Sequence, residues 1–357
     1  MTGRGIDQIL PHPSDPVLYE PSIRDARAYV SLAEAVNGEI PRCVPTGYIW
    51  GDALDELDRV RPDVRLVNLE TSVTRSDDWW RGKGINYRMH PENVACLTAA
   101  RLDIGVLANN HVLDWGWAGL DETVATLTGA GIQVAGAGRN PDEARRPACV
   151  ELPGGGRLIV FGLGSPTSGI PPDWAATPDS GGIDFLSDLS DATAGEVLER
   201  VHRAKRPGDC AVASIHWGSN WGYQVPESFV RFAHRLVDGG VDLVHGHSSH
   251  HVRPMEVYRD RLILYGCGDL LNDYEGISGY EGLRPDLPLM YFPQLDADSG
   301  ELLELRLVPM QIRKLSLHRP SEEDVRWLEG TLESICAGFG SSVELGARGS
   351  LVLRWRT

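Results

Sequence analysis

The order of apolar and polar positions along the 357-residue chain predicts alternating helices and strands up to about residue 286. Apolar residues that recur every three to four positions indicate helices, and short apolar runs between turn residues indicate strands. Helices are expected at residues 23–36, 52–60, 91–100, 119–131 and 226–238. Strands are expected at residues 64–68, 104–108, 133–135, 157–162, 210–215, 242–245 and 262–265. This alternation is typical of an α/β protein.

After residue 286 the pattern changes to a succession of strand-like runs. These predict strands at residues 289–292, 302–309 and 311–317, a helix at 322–336 and a final strand at 351–355. Alternation followed by such strands predicts two sheets packed face to face with helices outside, a four-layer αββα sandwich. The expected organisation is one domain at residues 1–317, with residues 318–357 packed on the same domain.

Residues 164–190 are too long for a simple connection, and they are rich in Gly, Pro, Ser and Asp. Loops of this length in a compact domain are usually functional. We therefore expect an ordered excursion that covers a site.

Metal-binding residue types follow several of the predicted strands. Six such residues stand at four strand ends: Glu70, Asn110, His111, His216, His247 and His250. One carboxylate, one amide oxygen and several imidazoles from four strand ends can converge on a pair of divalent cations. Each residue alone also has an ordinary structural explanation, so the prediction of a metal centre depends on the whole set.

The residue types indicate different roles within the set. Glu70 has two carboxylate oxygens and can bridge two cations, whereas Asn110 offers a neutral oxygen that completes a coordination sphere without adding charge. His216, His247 and His250 supply imidazole donors that suit manganese, iron or zinc. The structural alternatives are a surface carboxylate for Glu70 and a turn residue for Asn110.

His111 is expected to donate a proton rather than to bind a metal ion. A protonated imidazole beside a metal centre can stabilise a leaving oxygen or nitrogen. Asp114 stands three residues later in NHVLD, where a helical turn would place it against the ring. Its structural alternative is a carboxylate at the start of a helix.

Four further residues are candidates for contacting a substrate: Arg4, Lys83, Arg88 and Trp217. The three cations could clamp a carboxylate or a phosphate. Solvated surface charge is the alternative for them, and core packing explains Trp217 equally well.

Charge and cysteine usage narrow the class of protein. The formal net charge of −16 argues against nucleic-acid binding and predicts repulsion from anionic lipid. Six scattered cysteines without a CxxC pair are typical of reduced, buried thiols in an intracellular protein. With neither a signal peptide nor a long apolar run, a soluble cytoplasmic protein is expected.

Several motifs together resemble the CapA family of capsule-synthesis proteins, which is associated with poly-γ-glutamate. They are NLETSVT, LANNHVLDWG, GAGRNPDEA, SIHWGSNWGY, GHSSHH and YGCGDLLNDYEG, and the resemblance covers residues 3–317. It implies the αββα sandwich of the calcineurin-like metallophosphatase superfamily and a dinuclear metal site. It also implies the site residues: metal ligands Glu70, Asn110, His216, His247 and His250, with His111 as the catalytic histidine.

The chain departs from that family pattern in two places. Where such proteins often read GHHPH, this chain reads GHSSHH, so Ser248 replaces a histidine. The family also opens with a strand that ends in Gly-Asp-x-Met, whereas this sequence begins Met1-Thr2-Gly3-Arg4-Gly5. The resemblance then implies that the first strand and its ligand Asp are absent. We expect one well-occupied metal site and one weak or empty site.

These observations favour a metal-dependent hydrolase that uses one or two divalent ions and a metal-bound water. The substrate is expected to be anionic, a small molecule or a polyglutamate-like chain, and the bond a phosphoester or a glutamyl amide. The alternative is a non-catalytic, metal-containing binding component of a polymer-synthesis or export complex. A purely structural metalloprotein is a third reading, and the sequence leaves a membrane complex open.

Overall fold

The computed structural model describes residues 1–355, and its helices and strands form a mixed α/β protein. The α-helices are Gly5–Ile9, Arg27–Asn37, Ala53–Val60, Ala95–Ala99, Gly116–Gly129, Pro141–Ala144, Asp191–Ala204, Glu227–Asp238 and Glu322–Cys336. Short 3₁₀ turns lie at Tyr48–Trp50, Pro91–Val94, Pro166–Ser168, Pro172–Trp174, Glu281–Leu283, Ala337–Phe339 and Ala347–Gly349. Within residues 1–355, no helix is both long and apolar enough to cross a bilayer.

Three larger sheets carry most of the strands. A three-stranded parallel sheet has the order Leu66–Asn68, Ile104–Val106, Gln133–Ala135. A six-stranded sheet, parallel in its four central strands, has the order Met255–Tyr258, Arg261–Leu264, Leu243–His247, Cys210–His216, Arg157–Gly164, Ala148–Glu151. An antiparallel sheet has the order Leu289–Leu295, Leu302–Pro309, Leu351–Trp355, Ser341–Leu345.

Three short strand pairs complete the β structure. They are Ser72–Val73 with Arg88–Met89, Ala137–Gly138 with Gly182–Ile183, and Gln311–Arg313 with Ser316–His318. The second pair fastens residues 164–190 to the sheet region, and Gly164 N–H also donates to the Asp184 carbonyl at 2.9 Å. The predicted excursion is therefore ordered.

The two sheets with parallel strands share an apolar core. Val106 of the three-stranded sheet lies in one buried cluster with Val212 and Leu243 of the six-stranded sheet. The opposite face of the six-stranded sheet packs against two helices through residues such as Val197 and Phe232. The predicted α/β class is confirmed, whereas the four-layer sandwich and the boundary after residue 317 stay predictions.

The helices form where apolar residues recur on one face and a helix-terminating residue follows. Glu227–Asp238 buries Phe229, Phe232, Ala233, Leu236 and Val237, which recur at helical spacing on one face. The helix predicted from residue 226 begins one residue later, with Pro226 just before it and Gly239 just after its end. The predicted helix at residues 91–100 is a 3₁₀ turn followed by a short α-helix.

The prediction of one strand at residues 311–317 is wrong, because the chain turns back within it. Lys314 and Leu315 both have φ of 54°, and the strands on either side pair with each other. Glu275 stabilises this turn, since its carboxylate accepts the backbone N–H groups of both residues at 2.7 and 2.6 Å. Glu275 is remote from this turn in sequence, and the turn itself contains neither the Gly nor the Asn that usually marks a hairpin turn.

A cavity of about 790 Å³ lies beside the strand Leu66–Asn68. Its walls include the strand Leu289–Leu295, and both strands are last in their sheets within residues 1–355. Glu70, His247 and Asp269 also line the cavity. The cavity therefore extends from the edges of these two strands to the polar side chains of Glu70, His247 and Asp269.

Candidate functional site

The carboxyl ends of parallel strands position most of the predicted ligands. His216 and His247 are the last residues of neighbouring strands and lie opposite each other in register. Glu70 follows the strand Leu66–Asn68, and Asn110 follows the strand Ile104–Val106. Ligand sites in α/β sheets form at such strand ends because the following loops converge there.

Four of the predicted ligands form one connected cluster. His216 Nδ1 lies 2.9 Å from His247 Nδ1 and 4.0 Å from a Glu70 carboxylate oxygen. His216 Nε2 lies 3.1 Å from the Asn110 side-chain oxygen. Asn110 is half-buried and the other three are buried, so the structure brings these four residues together.

The cluster has suitable donors for a cation but is not arranged around a common point. Within residues 1–355, no three His, Cys, Asp or Glu side chains are spaced to hold an ion. The Asn110 side-chain oxygen faces His216 Nε2, whereas Glu70 and His247 face His216 Nδ1 on the other side of the ring. Two nitrogens on one tetrahedral zinc ion lie about 3.3 Å apart. A shared ion would therefore need the rings to separate slightly and Asn110 to turn.

Burial controls the protonation of this cluster. It raises the pKa of Glu70 to about 7, although Asn68 donates a hydrogen bond of 2.9 Å to the carboxylate. Burial also lowers the pKa values of His216 and His247 well below 6.5. Neutral imidazoles keep a lone pair for a cation, which is the state that metal binding needs.

His250 makes its hydrogen bonds to two residues outside these four ligands. Its Nδ1 is 3.0 Å from Asp269, and its Nε2 is 3.3 Å from the Tyr274 hydroxyl. Burial lowers the pKa of His250, but the carboxylates of Asp269 and Glu70 together outweigh that effect and the pKa is raised. The Met1 amino group donates to the Leu271 carbonyl at 2.7 Å, and its charge also acts on His250. The predicted role of His250 as a metal ligand stays a prediction.

Three residues that support the cluster were missed in the sequence. Asn109 accepts the His111 backbone N–H at 3.1 Å and donates to the Leu69 carbonyl at 2.9 Å. Ser214 lies 3.1 Å from His247 Nε2 and 2.8 Å from His245 Nδ1. The spacing of two along the strands predicts that Ser214 and His245 share a face with the predicted ligands, so this signal was readable.

His111 and Asp114 are in direct contact, as their spacing suggests. His111 Nδ1 lies 2.6 Å from one Asp114 oxygen, which also accepts the Tyr87 backbone N–H at 2.6 Å. His111 Nε2 lies 4.0 Å from Glu70. Burial lowers the pKa of His111 well below 6.5 and raises that of Asp114 to about 7. The ring thus has one nitrogen on Asp114 and the other directed at the cluster.

Two of the substrate-contact candidates are engaged within the protein. The buried Arg4 guanidinium binds Asp273 at 2.6 and 3.1 Å, Glu20 at 3.0 Å and the Tyr29 hydroxyl at 2.9 Å. The Lys83 ammonium is directed at Asp114.

The other two candidates also pack inside the structure. Arg88 binds Asp77 at 2.7 Å and lies over the Trp115 ring. Trp217 is 1% exposed and stacks on Phe229, with its indole N–H donating to the Tyr265 carbonyl. Contacts between these two residues and a substrate stay predictions.

Fold and site together define an α/β protein with a buried, histidine-rich cluster at parallel strand ends. The chain belongs to the family of the bacterial capsule synthesis protein PGA_cap, whose family model matches residues 1–274. The resemblance to CapA proteins noted in the sequence is thereby confirmed.

Named relatives have related descriptions. A probable polyglutamine synthesis accessory protein of Mycobacterium tuberculosis is 49% identical over 344 residues, covering 96% of this chain and 90% of that protein. The PGA biosynthesis protein CapA of Bacillus subtilis is 25% identical over 207 residues, covering 58% of this chain and 52% of that protein. The capsule biosynthesis protein CapA of Bacillus anthracis is 25% identical over 236 residues, covering 65% and 53%.

Proposed function

We propose that this protein is a metal-dependent hydrolase of the CapA type that acts in poly-γ-glutamate or capsule metabolism. The observation that carries the proposal is the buried cluster of Glu70, Asn110, His216 and His247 beside the His111–Asp114 pair. We propose in addition that the fold is a four-layer αββα sandwich like that of calcineurin-like metallophosphatases. The core shared by the two parallel sheets supports this arrangement.

Glu70, His216 and His247 would hold a divalent ion, with Asn110 turned toward it. Manganese, iron and zinc all suit this mixture of oxygen and imidazole donors. When bound, such an ion supplies a Lewis acid and lowers the pKa of water at the site.

His111 would transfer the proton in this reaction. Its Nδ1 faces Asp114 at 2.6 Å, so Nε2 is the nitrogen that faces the cluster and would protonate the leaving group. Burial lowers the pKa of His111, so the resting ring is neutral, with its proton on Nδ1 and a lone pair on Nε2. Nε2 would take up the proton that the attacking water loses and pass it to the leaving group. Asp114 would keep the ring in the tautomer that this role needs.

The substrate class follows from the names of the relatives and from the chemistry of the site. Descriptions such as PGA biosynthesis protein favour a glutamyl amide, whereas a metallophosphatase-like arrangement favours a phosphoester. Both substrates carry negative charge, and a bound cation would offset the acidity of the chain near the site.

Turnover of two chromogenic substrates tests the proposal. With Mn²⁺ added, the protein should hydrolyse an aryl phosphate or a γ-glutamyl anilide. His111→Ala should reduce the rate at least ~100-fold while the bound metal is retained, because general acid catalysis contributes roughly 10²–10⁴-fold. His202→Ala, at an exposed histidine on the helix Asp191–Ala204, is the matched control and should leave the rate unchanged. Unchanged rates in His111→Ala would remove the acid role.

A second function is favoured by the word accessory in the name of the mycobacterial relative. In this case the protein would use the same site to bind an anionic polymer without cleaving it. Metal-dependent binding of poly-γ-glutamate, with no turnover of either chromogenic substrate or of the polymer, would support the binding role over the hydrolase.

A further inference from the structure

Lys83 reaches the His111–Asp114 pair from a separate loop. We call residues 75–87 the strap. Lys83 Nζ contacts the Asp114 carboxylate and the Asn110 backbone carbonyl, and lies 2.8 Å from His111 Nδ1. One ammonium group therefore touches the orienting carboxylate, the proposed proton carrier and the backbone of a proposed ligand.

The backbone of the strap is fixed on both sides of Lys83 to the residue that Lys83 contacts. The Trp80 backbone N–H donates to the Asp114 carbonyl at 2.8 Å, and the Tyr87 backbone N–H donates to the Asp114 carboxylate at 2.6 Å. Between them, Gly82 has a φ of 84°, which a residue with a side chain rarely adopts. The strap thus folds back so that Lys83 points inward.

Aromatic rings close the site from outside. Lys83 Nζ lies 5.2 Å from the centre of the Trp174 ring, which is fully buried. Trp80 of the strap meets Trp174 edge-on with ring centres 5.5 Å apart. The excursion at residues 164–190 and the strap therefore meet over Lys83, which leaves its side chain 16% exposed.

We infer that Lys83 is a positioning residue, which holds Asp114 and His111 in the geometry that directs His111 Nε2 at the cluster. The inference rests on the proposed function, since it concerns the residue that would carry the proton. Asp114 is fully buried, and a buried carboxylate needs a counter-charge or several hydrogen bonds to remain ordered. Lys83 supplies the charge, and the Tyr87 N–H and the His111 ring supply the hydrogen bonds.

This assignment differs from a substrate clamp in its geometry. Two protein oxygens accept from the ammonium group, the Asp114 carboxylate and the Asn110 backbone carbonyl, so two of its three donors are already taken within the protein. Nζ also approaches His111 from its Nδ1 side, whereas Nε2 is the nitrogen near Glu70. Removing the charge should therefore change the tautomer of the His111 ring and leave the substrate affinity unchanged.

Lys83→Met tests the inference, because methionine keeps an unbranched chain without the charge. Arg81→Met, at an exposed cation of the same strap, is the matched control. Nitrogen NMR of the histidine rings in the metal-free protein should show His111 in one tautomer in the wild type and in Arg81→Met. Lys83→Met should show a mixture of tautomers. An unchanged His111 spectrum in Lys83→Met would overturn the inference.

Kinetics provide the second readout. Loss of an outer-shell partner typically costs ~10–100-fold in activity, so kcat should fall by that factor in Lys83→Met. KM and bound Mn²⁺ should stay near the wild-type values. A raised KM with unchanged kcat would assign Lys83 to substrate binding instead.

If the wild type turns over neither substrate, the hydrolase proposal fails while the NMR comparison still decides the positioning role. If Lys83→Met does not fold, Lys83→Gln takes its place in both measurements.

Discussion

The carboxylate of Glu70 is buried, and burial raises its pKa to about 7. A carboxyl group with a raised pKa in the folded state stabilises the protein fully below its ordinary pKa near 4.5. That contribution is lost as the pH rises toward 7, because the folded state then has to hold a buried charge. A cation bound beside Glu70 would reverse the loss, since it favours the ionised form.

The increase in Tm on adding Mn²⁺ should therefore be larger at about pH 8 than at about pH 6. At the lower pH an ion must displace the proton on Glu70, and at the higher pH the proton is already gone. His216 and His247 have lowered pKa values and are neutral at both. Thermal melts with and without Mn²⁺ measure the effect, and Glu70→Gln should show little difference between the two pH values. An equal increase at both would contradict the role of Glu70.

Arg4 offers a test at a residue that stabilises the fold. Arg4→Met should lower the free energy of unfolding by about 3–5 kcal/mol, because it leaves the buried carboxylates of Asp273 and Glu20 without their cation. Arg27→Met is the matched control, since Arg27 and its partner Asp25 are exposed and screened by water. Urea unfolding measures both variants. A small loss in Arg4→Met, equal to that in the control, would show that Arg4 contributes little to the fold.

The strands that end at the cluster have to approach closely. Gly246 precedes His247, and a Cβ atom there would lie 2.5 Å from the Leu264 carbonyl oxygen and 2.6 Å from the Trp217 indole nitrogen. The backbone of the neighbouring strand Arg261–Leu264 would have to move to make room for this Cβ atom. The glycine therefore sets the position of His247.

Gly246→Ala should destabilise the protein by about 1–3 kcal/mol, the usual cost of overpacking, and should weaken Mn²⁺ binding because His247 moves. Gly195→Ala is the matched control, since Gly195 lies within the helix Asp191–Ala204 and has free space at its Cβ position. That variant should be neutral or slightly stabilising. Unfolding and Mn²⁺ titration measure both. Normal Mn²⁺ affinity in Gly246→Ala would show that the close approach is not needed for the site.

The sequence predicted elements well where local periodicity determines them. The strands Gln133–Ala135 and Leu302–Pro309 and the helix Glu322–Cys336 have the expected bounds. The hairpin at residues 311–318 could not be predicted, since its turn depends on Glu275. The helix Asp191–Ala204 was missed although its buried Ala194, Val197, Leu198 and Val201 have helical spacing. Strand ends predicted the candidate ligands, but side-chain directions such as that of Lys83 depend on tertiary packing.

At the scale of the whole molecule, the cluster joins parts of the chain that are far apart in sequence. Glu70 and Asn110 come from loops after the three-stranded sheet, and His216 and His247 from the six-stranded sheet. His250 has its two ring nitrogens on Asp269 and Tyr274, and its charge acts on Glu70 of the cluster. One well-occupied metal site and one weak or empty site stays a prediction.

A crystal structure of the protein grown with Mn²⁺, with anomalous scattering recorded for manganese, tests the metal site most directly. We expect one strong anomalous peak per chain, within coordination distance of Glu70, His216 and His247, and with Asn110 turned toward it. Metal analysis of the same protein should give close to one ion per chain. Two equally strong peaks would contradict the single site. No peak, with His216 and His247 still in contact with each other, would contradict the metal centre itself.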